Sequence, residues 1–332
     1  MSIIHFLNVR NGDCSIIEHT SGRVSVIDIC NGNEAETVDD KVATAITYSN
    51  VSAVISEAIS KGNFRQKDKP EDPISYLRKM EVREIFRFIL THPDMDHLDG
   101  FKRLFDEFNV CNFWDTENNK KIESFKKSPY NSEDWLDYQK RRKRALHFYA
   151  GDHKVFFNTD ENGGNGDYLQ ILGPTQELVE KANQSGNYNN ASYVILYNEF
   201  GKKILFSGDS EKEEWDIILE EDKNKAMLSN IDVLIAPHHG RKSGGNDEFL
   251  DVLNPKLTLF GNAKSKDLNY SDWYELPHYT NNQGGNFVLD VKEEGIDVYC
   301  SNEAFARSEN GDTIFKKQLD AWFLRTIAEA IQ

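Results

Sequence analysis

The chain has 332 residues, is 39% apolar with 20 Phe, 13 Tyr and 5 Trp to fill a core, and carries 55 Asp plus Glu against 39 Lys plus Arg, a formal net charge of -16. That charge excludes the general attraction to phosphate backbones that basic proteins draw from Lys and Arg, but leaves open a nucleic acid acted on at a locally cationic site. No window reaches the ~20 apolar residues that cross a bilayer, the N-terminus has no signal-peptide pattern, and Cys14, Cys30, Cys111 and Cys300 are too dispersed for a disulfide framework or a Cys-based zinc site; the expectation is a cytoplasmic protein with free thiols and no membrane partner.

In chain order, alternation predicts strands at Ile3–Val9, Cys14–Glu18 and Val24–Ile29, with Asn11-Gly12-Asp13 and Thr20-Ser21-Gly22 as turns. Apolar residues recur at helical spacing over 34–64, Gly62–Pro73 reads as an exposed loop, and Pro73 opens a helix through Met80. Glu84–Thr91 is a buried strand, Phe101–Phe108 an amphipathic helix, and Val110–Trp114 a short strand. Residues 116–165 are mostly polar, with a helix over Ser132–Tyr149 bearing the basic run Lys140–Arg144 and a flexible loop at Gly163–Gly166. Strands return at Tyr168–Leu172, Ser192–Tyr197 and Lys203–Phe206, followed by a helix at Lys212–Leu219 and strands at Asp232–Ala236, Leu257–Phe260 and Asp297–Cys300. A final helix is predicted over Ile314–Ile331, whose apolar face would pack on the sheets or dock a protein partner. The expected organisation is one domain over 1–332 with insertions at about 34–80 and 113–165.

Three apolar strands end in metal-competent side chains. The first runs into His92-Pro93-Asp94-Met95-Asp96-His97, the second into Ser207-Gly208-Asp209, the third into Pro237-His238-His239-Gly240. A strand end is a rigid place to present a ligand, and several can converge at one edge of a sheet. Alternation would put His92, Asp94 and Asp96 on one side of an extended segment, with His97 turning away as the helix begins. Four such ligand types within six residues suffice for half of a two-metal site.

In this order and spacing the motifs resemble the metallo-β-lactamase superfamily, and most of all the hydrolase-like domain of bacterial DNA-uptake (competence) proteins. The stretches Phe6–Asp13, Val26–Asp28, Asn190–Leu196 and Leu205–Asp209 carry the same resemblance, over roughly residues 3–300. It implies a four-layer αββα sandwich with the site at one edge. His92 and Asp94 would hold a first metal, Asp96, His97 and His238 a second, and Asp209 would bridge them. Such a pair activates a water and clamps substrate oxygens, which suits hydrolysis. The sequence departs from the pattern at Asp94, where His is common, at Asp99-Gly100 in place of Gly-Gly, and at Asn189, Asn190 and Ser192, where a further His usually completes the first metal. An oxygen-rich first position leans toward Mn²⁺ and an imidazole-rich one toward Zn²⁺, with one or two ions bound.

Outside the ligands, Asp28 is either an acceptor orienting a ligand His or a strand-end cap, and Asp13 either bonds near the metals or serves its turn. The substrate-side candidates are His239, which contacts substrate phosphate or packs; His278, a substrate contact or general acid by resemblance; and Asn190. The basic run Lys140–Arg144 is either a solvated helix face or a local patch for a nucleic-acid backbone. The leading functional expectation is a metal-dependent phosphodiesterase, most of all a nuclease. The alternatives are a hydrolase of a small ester, lactone or cyclic nucleotide, and an effector subunit of a multi-protein system, such as a bacterial defence module.

Overall fold

A computed structural model describes residues 1–32, 62–154, 157, 166–241, 248–263, 273 and 275–328. Most of the segment read at helical spacing over 34–64 lies outside these residues, as do the core of the loop Gly163–Gly166 and the last four residues.

The strands are β1 Ser2–Phe6, β2 Ser15–Glu18, β3 Val24–Ile27, β4 Glu84–Ile89, β5 Asn109–Trp114, β6 Leu169–Gly173, β7 Val194–Glu199, β8 Lys202–Phe206, β9 Val233–Ile235, β10 Leu257–Phe260, β11 His278–Thr280, β12 Phe287–Lys292, β13 Gly295–Cys300, β14 Phe315–Lys316 and β15 Ala321–Ala328. They form a nine-stranded sheet in the order β14-β15-β13-β12-β1-β2-β3-β4-β5 and a six-stranded sheet in the order β11-β10-β9-β8-β7-β6. Between the sheets lie Ile4, Phe6, Ile17, Ile27 and Ile89 from the first and Ile195, Ile204, Phe206, Val233 and Ile235 from the second.

Both outer faces are covered too. Helices α1 (Pro73–Lys79), α2 (Phe101–Glu107) and α3 (Ser132–Arg141) place Ile74, Leu77, Phe101, Leu104, Trp135 and Tyr138 over the first sheet. Behind α4 (Gln176–Ser185) in sequence, α5 (Lys212–Ile218), α6 (Asp222–Leu228) and α7 (Phe249–Leu253) place Trp215, Ile218, Leu228, Phe249 and Leu253 over the second. This is the four-layer αββα order of a metallo-β-lactamase-like fold. It explains why β4, β7 and β9 read as continuous apolar runs, since strands buried on both faces have no polar side to alternate with.

Strand direction positions the site. β3, β4 and β5 run parallel, as do β8, β9, β10 and β11. The carboxyl ends of β3, β4, β8 and β9 therefore deliver Asp28, His92, Asp209 and the two adjacent histidines to one edge of the sandwich, where open α/β sheets build their sites. Behind this edge the glycine that the Asp99-Gly100 pair retains has a local cause. Gly100 has φ 107, and a Cβ there would stand 2.4 Å from the Cα of Gly32. Its N–H and that of Lys102 donate to the buried Asp134 carboxylate, which caps α2. Gly100→Ala is expected to lower stability by about 1–3 kcal/mol, read as a drop in the denaturation midpoint; an unchanged midpoint would refute the close-approach argument.

The final segment corrects the sequence reading. In place of a helix over Ile314–Ile331 the chain forms β14 and β15, and β15 pairs antiparallel with β13. The register shifts between Val298 and Tyr299, which face Arg325 and Phe323, so Leu324 is an extra residue in β15. Trp322, Leu324 and Ile327 consequently pack toward the inter-sheet core. A bulge turns the two-residue period of a strand into a three-residue step, which imitates a helical face. The apolar residues offered as a docking surface are therefore committed largely to the sheet. Helix α3 also ends earlier than expected: after a 3-10 turn at Arg142–Arg144, Leu146 bridges to Trp114. Arg141 pairs with Asp137 and lies over Phe105, and Arg142 lies over Tyr138, so two of the five basic residues are engaged in local ion-pair and ring contacts. No helix of the described residues is long and apolar enough to cross a membrane.

Candidate metal centre

Beyond β4 the chain stays extended through Asp94, then tightens into a 3-10 turn at Met95–His97, closed by the His97 N–H donating to the Asp94 carbonyl at 3.0 Å. The alternation expected across His92, Asp94 and Asp96 thus stops at Asp94, and the turn sends His97 inward. The His97 Nδ1 lies 2.7 Å from Asp28 Oδ2, and its Nε2 lies 3.2 Å from Asp209 Oδ1. Asp28 also accepts from the Thr91 N–H at 2.7 Å and the Thr91 hydroxyl at 2.6 Å, so of its two open readings the geometry shows the one that orients a histidine.

Asp209 is the hub. Its Oδ1 faces His97 and, at 3.4 Å, the Nε2 of His239; its Oδ2 faces His92 at 3.8 Å and His238 at 3.5 Å. The two neighbouring histidines reach opposite oxygens because both sit in left-handed backbone, φ 51 and 55, before Gly240. Such conformations are costly for non-glycine residues and persist where the surroundings enforce them. A Cβ on Gly240 would stand 2.2 Å from the Phe260 ring, so the turn has no room to relax.

His239 is fully buried, with Nε2 3.9 Å from Asp96 Oδ2 and Nδ1 3.0 Å from Asp13 Oδ1. The sequence reading placed it on the substrate side; the structure brings it into the ligand cluster, with Asp13 as the partner that orients it. The only sequence signal for this was the doubled histidine, which does not say which ring turns inward. His278, by contrast, begins edge strand β11 with its Nδ1 on the Leu276 carbonyl, and belongs to no convergent ligand group among the described residues. Asn190 lies in a short 3-10 turn at Asn189–Ala191, with its Oδ1 buried and without a hydrogen-bond partner. The next stretch abuts the β4 end, since the Tyr193 N–H donates to the Thr91 carbonyl at 2.9 Å.

The electrostatics follow from crowding carboxylates and imidazoles in a dry place. Burial pushes the Asp209 carboxyl up, but His239, His97 and His92 outweigh it and hold it well below the usual range. Burial likewise disfavours charge on His97, yet Asp209 and Asp28 on either side raise it well above an ordinary histidine. His239 is raised against its burial by Asp13 and Asp209. His92 has Asp209 and Asp94 only at longer range, so burial and His97 push it down to about 3.

The donor set fits a divalent metal. The Nε2 atoms of His92, His97 and His239 and the Oδ1 of Asp209 are buried without a well-formed hydrogen bond. Orphaned buried polar atoms are costly unless something satisfies them. Ligand atoms lie within 4.8 Å of one another in the groups His92/His97/Asp209, Asp96/His97/His239 and Asp13/Asp209/His239. A set of imidazoles with carboxylates suits a divalent metal ion.

No family model matches the chain. Over 208 residues, 62% of its length, it is 25% identical to ComE operon protein 3 of Bacillus subtilis, in a match that spans 23% of that protein. Over 113 residues, 34% of its length, it is 27% identical to Recombination protein 2 of Haemophilus influenzae, spanning 12% of that protein. The chain thus matches less than a quarter of either curated relative. Among solved structures, a diphosphatase of the PhnP family aligns with a TM-score of 0.44 at 11% identity, over 88% of this chain and 98% of that one.

Proposed function

We propose that this centre makes the protein a metal-dependent phosphodiesterase, with a nucleic-acid strand or a small phosphodiester as substrate. The observation that carries the reading is the Asp209 carboxylate, which turns one oxygen to His97 and His239 and the other to His92 and His238. A carboxylate so placed can serve two adjacent positions, one offered by Asp96, His97, His239 and Asp209, the other by His92, Asp94, His238 and Asp209. A divalent metal there supplies Lewis acidity, lowering the pKa of water and neutralising charge on phosphoryl oxygens. The sequence resemblance to DNA-uptake proteins, with the similarity to Recombination protein 2, favours a nucleic acid over a lactone or thioester.

The chain's own residues prepare the site. Asp28 and Asp13 hold the Nδ1 side of His97 and His239, which fixes the tautomer and leaves each Nε2 free as a donor atom. Asp28→Ala is expected to lower metal affinity roughly 10–100-fold, measured by metal titration of the chelator-stripped protein; wild-type affinity would show that His97 needs no such partner.

The test of the function is cleavage by chelator-stripped protein resupplied with Mn²⁺, Zn²⁺ or Mg²⁺, against single- and double-stranded DNA, RNA and a generic phosphodiester. An Asp96→Ala/His97→Ala double variant runs in parallel. Metal-restored cleavage absent from the variant is the expected result. Stoichiometric metal with no cleavage of any phosphodiester would sink the substrate class and leave the centre standing.

A further inference from the structure

The Asp94 side of the centre already contains a cation. The Lys120 ammonium bonds Asp94 Oδ1, the oxygen that lies 3.9 Å from His92 Nε2. This is not a loose surface pair. The Lys120 side chain is only 19% exposed, and its ammonium lies 5.3 Å from the centroid of the Tyr188 ring. Its backbone is held as well: the Lys120 N–H donates to Asn118 Oδ1, which also accepts from Arg142 at 2.9 Å, and Arg142 reaches the Lys120 carbonyl at 3.4 Å. Asn118 in turn donates to Asp115 and to Tyr138. The 113–165 insertion thus clasps Lys120 and aims it at the site.

The two sides of Asp209 are unequal in the same sense. On one, Asp96, His97 and His239 converge within 4.8 Å, and Asp209 Oδ1 is 3.2 Å and 3.4 Å from the two imidazoles. On the other, His92 converges with His97 and Asp209, but Asp94 and His238 join no convergent group among the described residues. In the neighbouring stretch, Asn190 Oδ1 and Ser192 Oγ are buried without hydrogen-bond partners.

We propose that Lys120 is the resident cation of the Asp94 side, so that the centre takes up a single divalent ion, on the side of Asp96, His97, His239 and Asp209. An ammonium and a divalent ion sharing Asp94 would repel at close range, and the lysine is covalently present at every metal concentration. The inference deepens the metal-centre reading and rests on it.

Metal stoichiometry decides it. The chelator-stripped full chain, titrated with Mn²⁺ or Zn²⁺ and followed by calorimetry and elemental analysis, is expected to bind one equivalent tightly. Lys120→Met is expected to raise affinity for a second equivalent at least tenfold and, with Mn²⁺, to give the spin-coupled resonance signal of a metal pair; Lys120→Arg stays at one. Asp94→Asn is expected to leave the single equivalent in place, which keeps the test decisive should Lys120→Met fail to fold. Two tight equivalents in the wild type, one in a folded Lys120→Met, or loss of the ion in Asp94→Asn would each overturn the proposal. A wild type that binds no metal at all would overturn the centre itself, and the proposal with it.

Discussion

Asp209→Ala is expected to strip metal from the centre and to lower hydrolytic turnover by roughly 10³-fold or more. The magnitude follows from position. Asp209 is 2% exposed and, among the described residues, is the one carboxylate that faces His92, His97, His238 and His239 together. Without it three buried imidazoles lose the anion that compensates them, and a divalent ion would meet a cluster of neutral or positive rings. Asp28 and Asp13 cannot substitute, because they are engaged on the Nδ1 side. Asp209→Asn keeps the shape and removes the charge, so equal loss in both variants assigns the effect to charge. Metal content and turnover on whichever substrate the wild type hydrolyses are the readouts. Full metal content in Asp209→Ala would show that the ion sits elsewhere.

Arg87→Ala is expected to destabilise the fold by about 3–5 kcal/mol, the usual cost of leaving one member of a buried ion pair alone. Arg87 points from β4 to the same side as Ile89, is fully buried, and bonds Asp167 at 2.5 Å and Ser25 at 2.8 Å, with Trp114 and Phe86 rings alongside. Asp167, just before β6, belongs to the chain entering the other sheet, so the pair ties the two layers. His19 beside it stays neutral because burial pushes it down to about 3, which spares the guanidinium a second positive charge. Denaturant unfolding gives the number. The double variant Arg87→Met/Asp167→Leu should recover part of the loss, since apolar replacement of both partners removes the stranded charge. No recovery would mean that the pair stabilises the fold beyond its own compensation.

Much of this protein is written locally. β4, β8 and β9 are legible as apolar runs, and their endings name most of the centre, because a ligand at a strand's carboxyl end follows its strand immediately in sequence. The αββα order was legible only through the resemblance. What only the tertiary structure decided are matters of direction and distance. His238 and His239 are equivalent as letters; the left-handed turn pressed against Phe260 sends one to each oxygen of Asp209. Asp13 reads as turn chemistry until a residue 226 positions away meets it. The C-terminal segment reads as a helix because its bulge arises from pairing with β13, which no local period records. Lys120 carried no motif at all; its place beside Asp94 exists because Arg142 and Tyr188, remote in sequence, close around it. Local pattern determines which residues are buried and what they can bind, while long-range packing determines which of them meet.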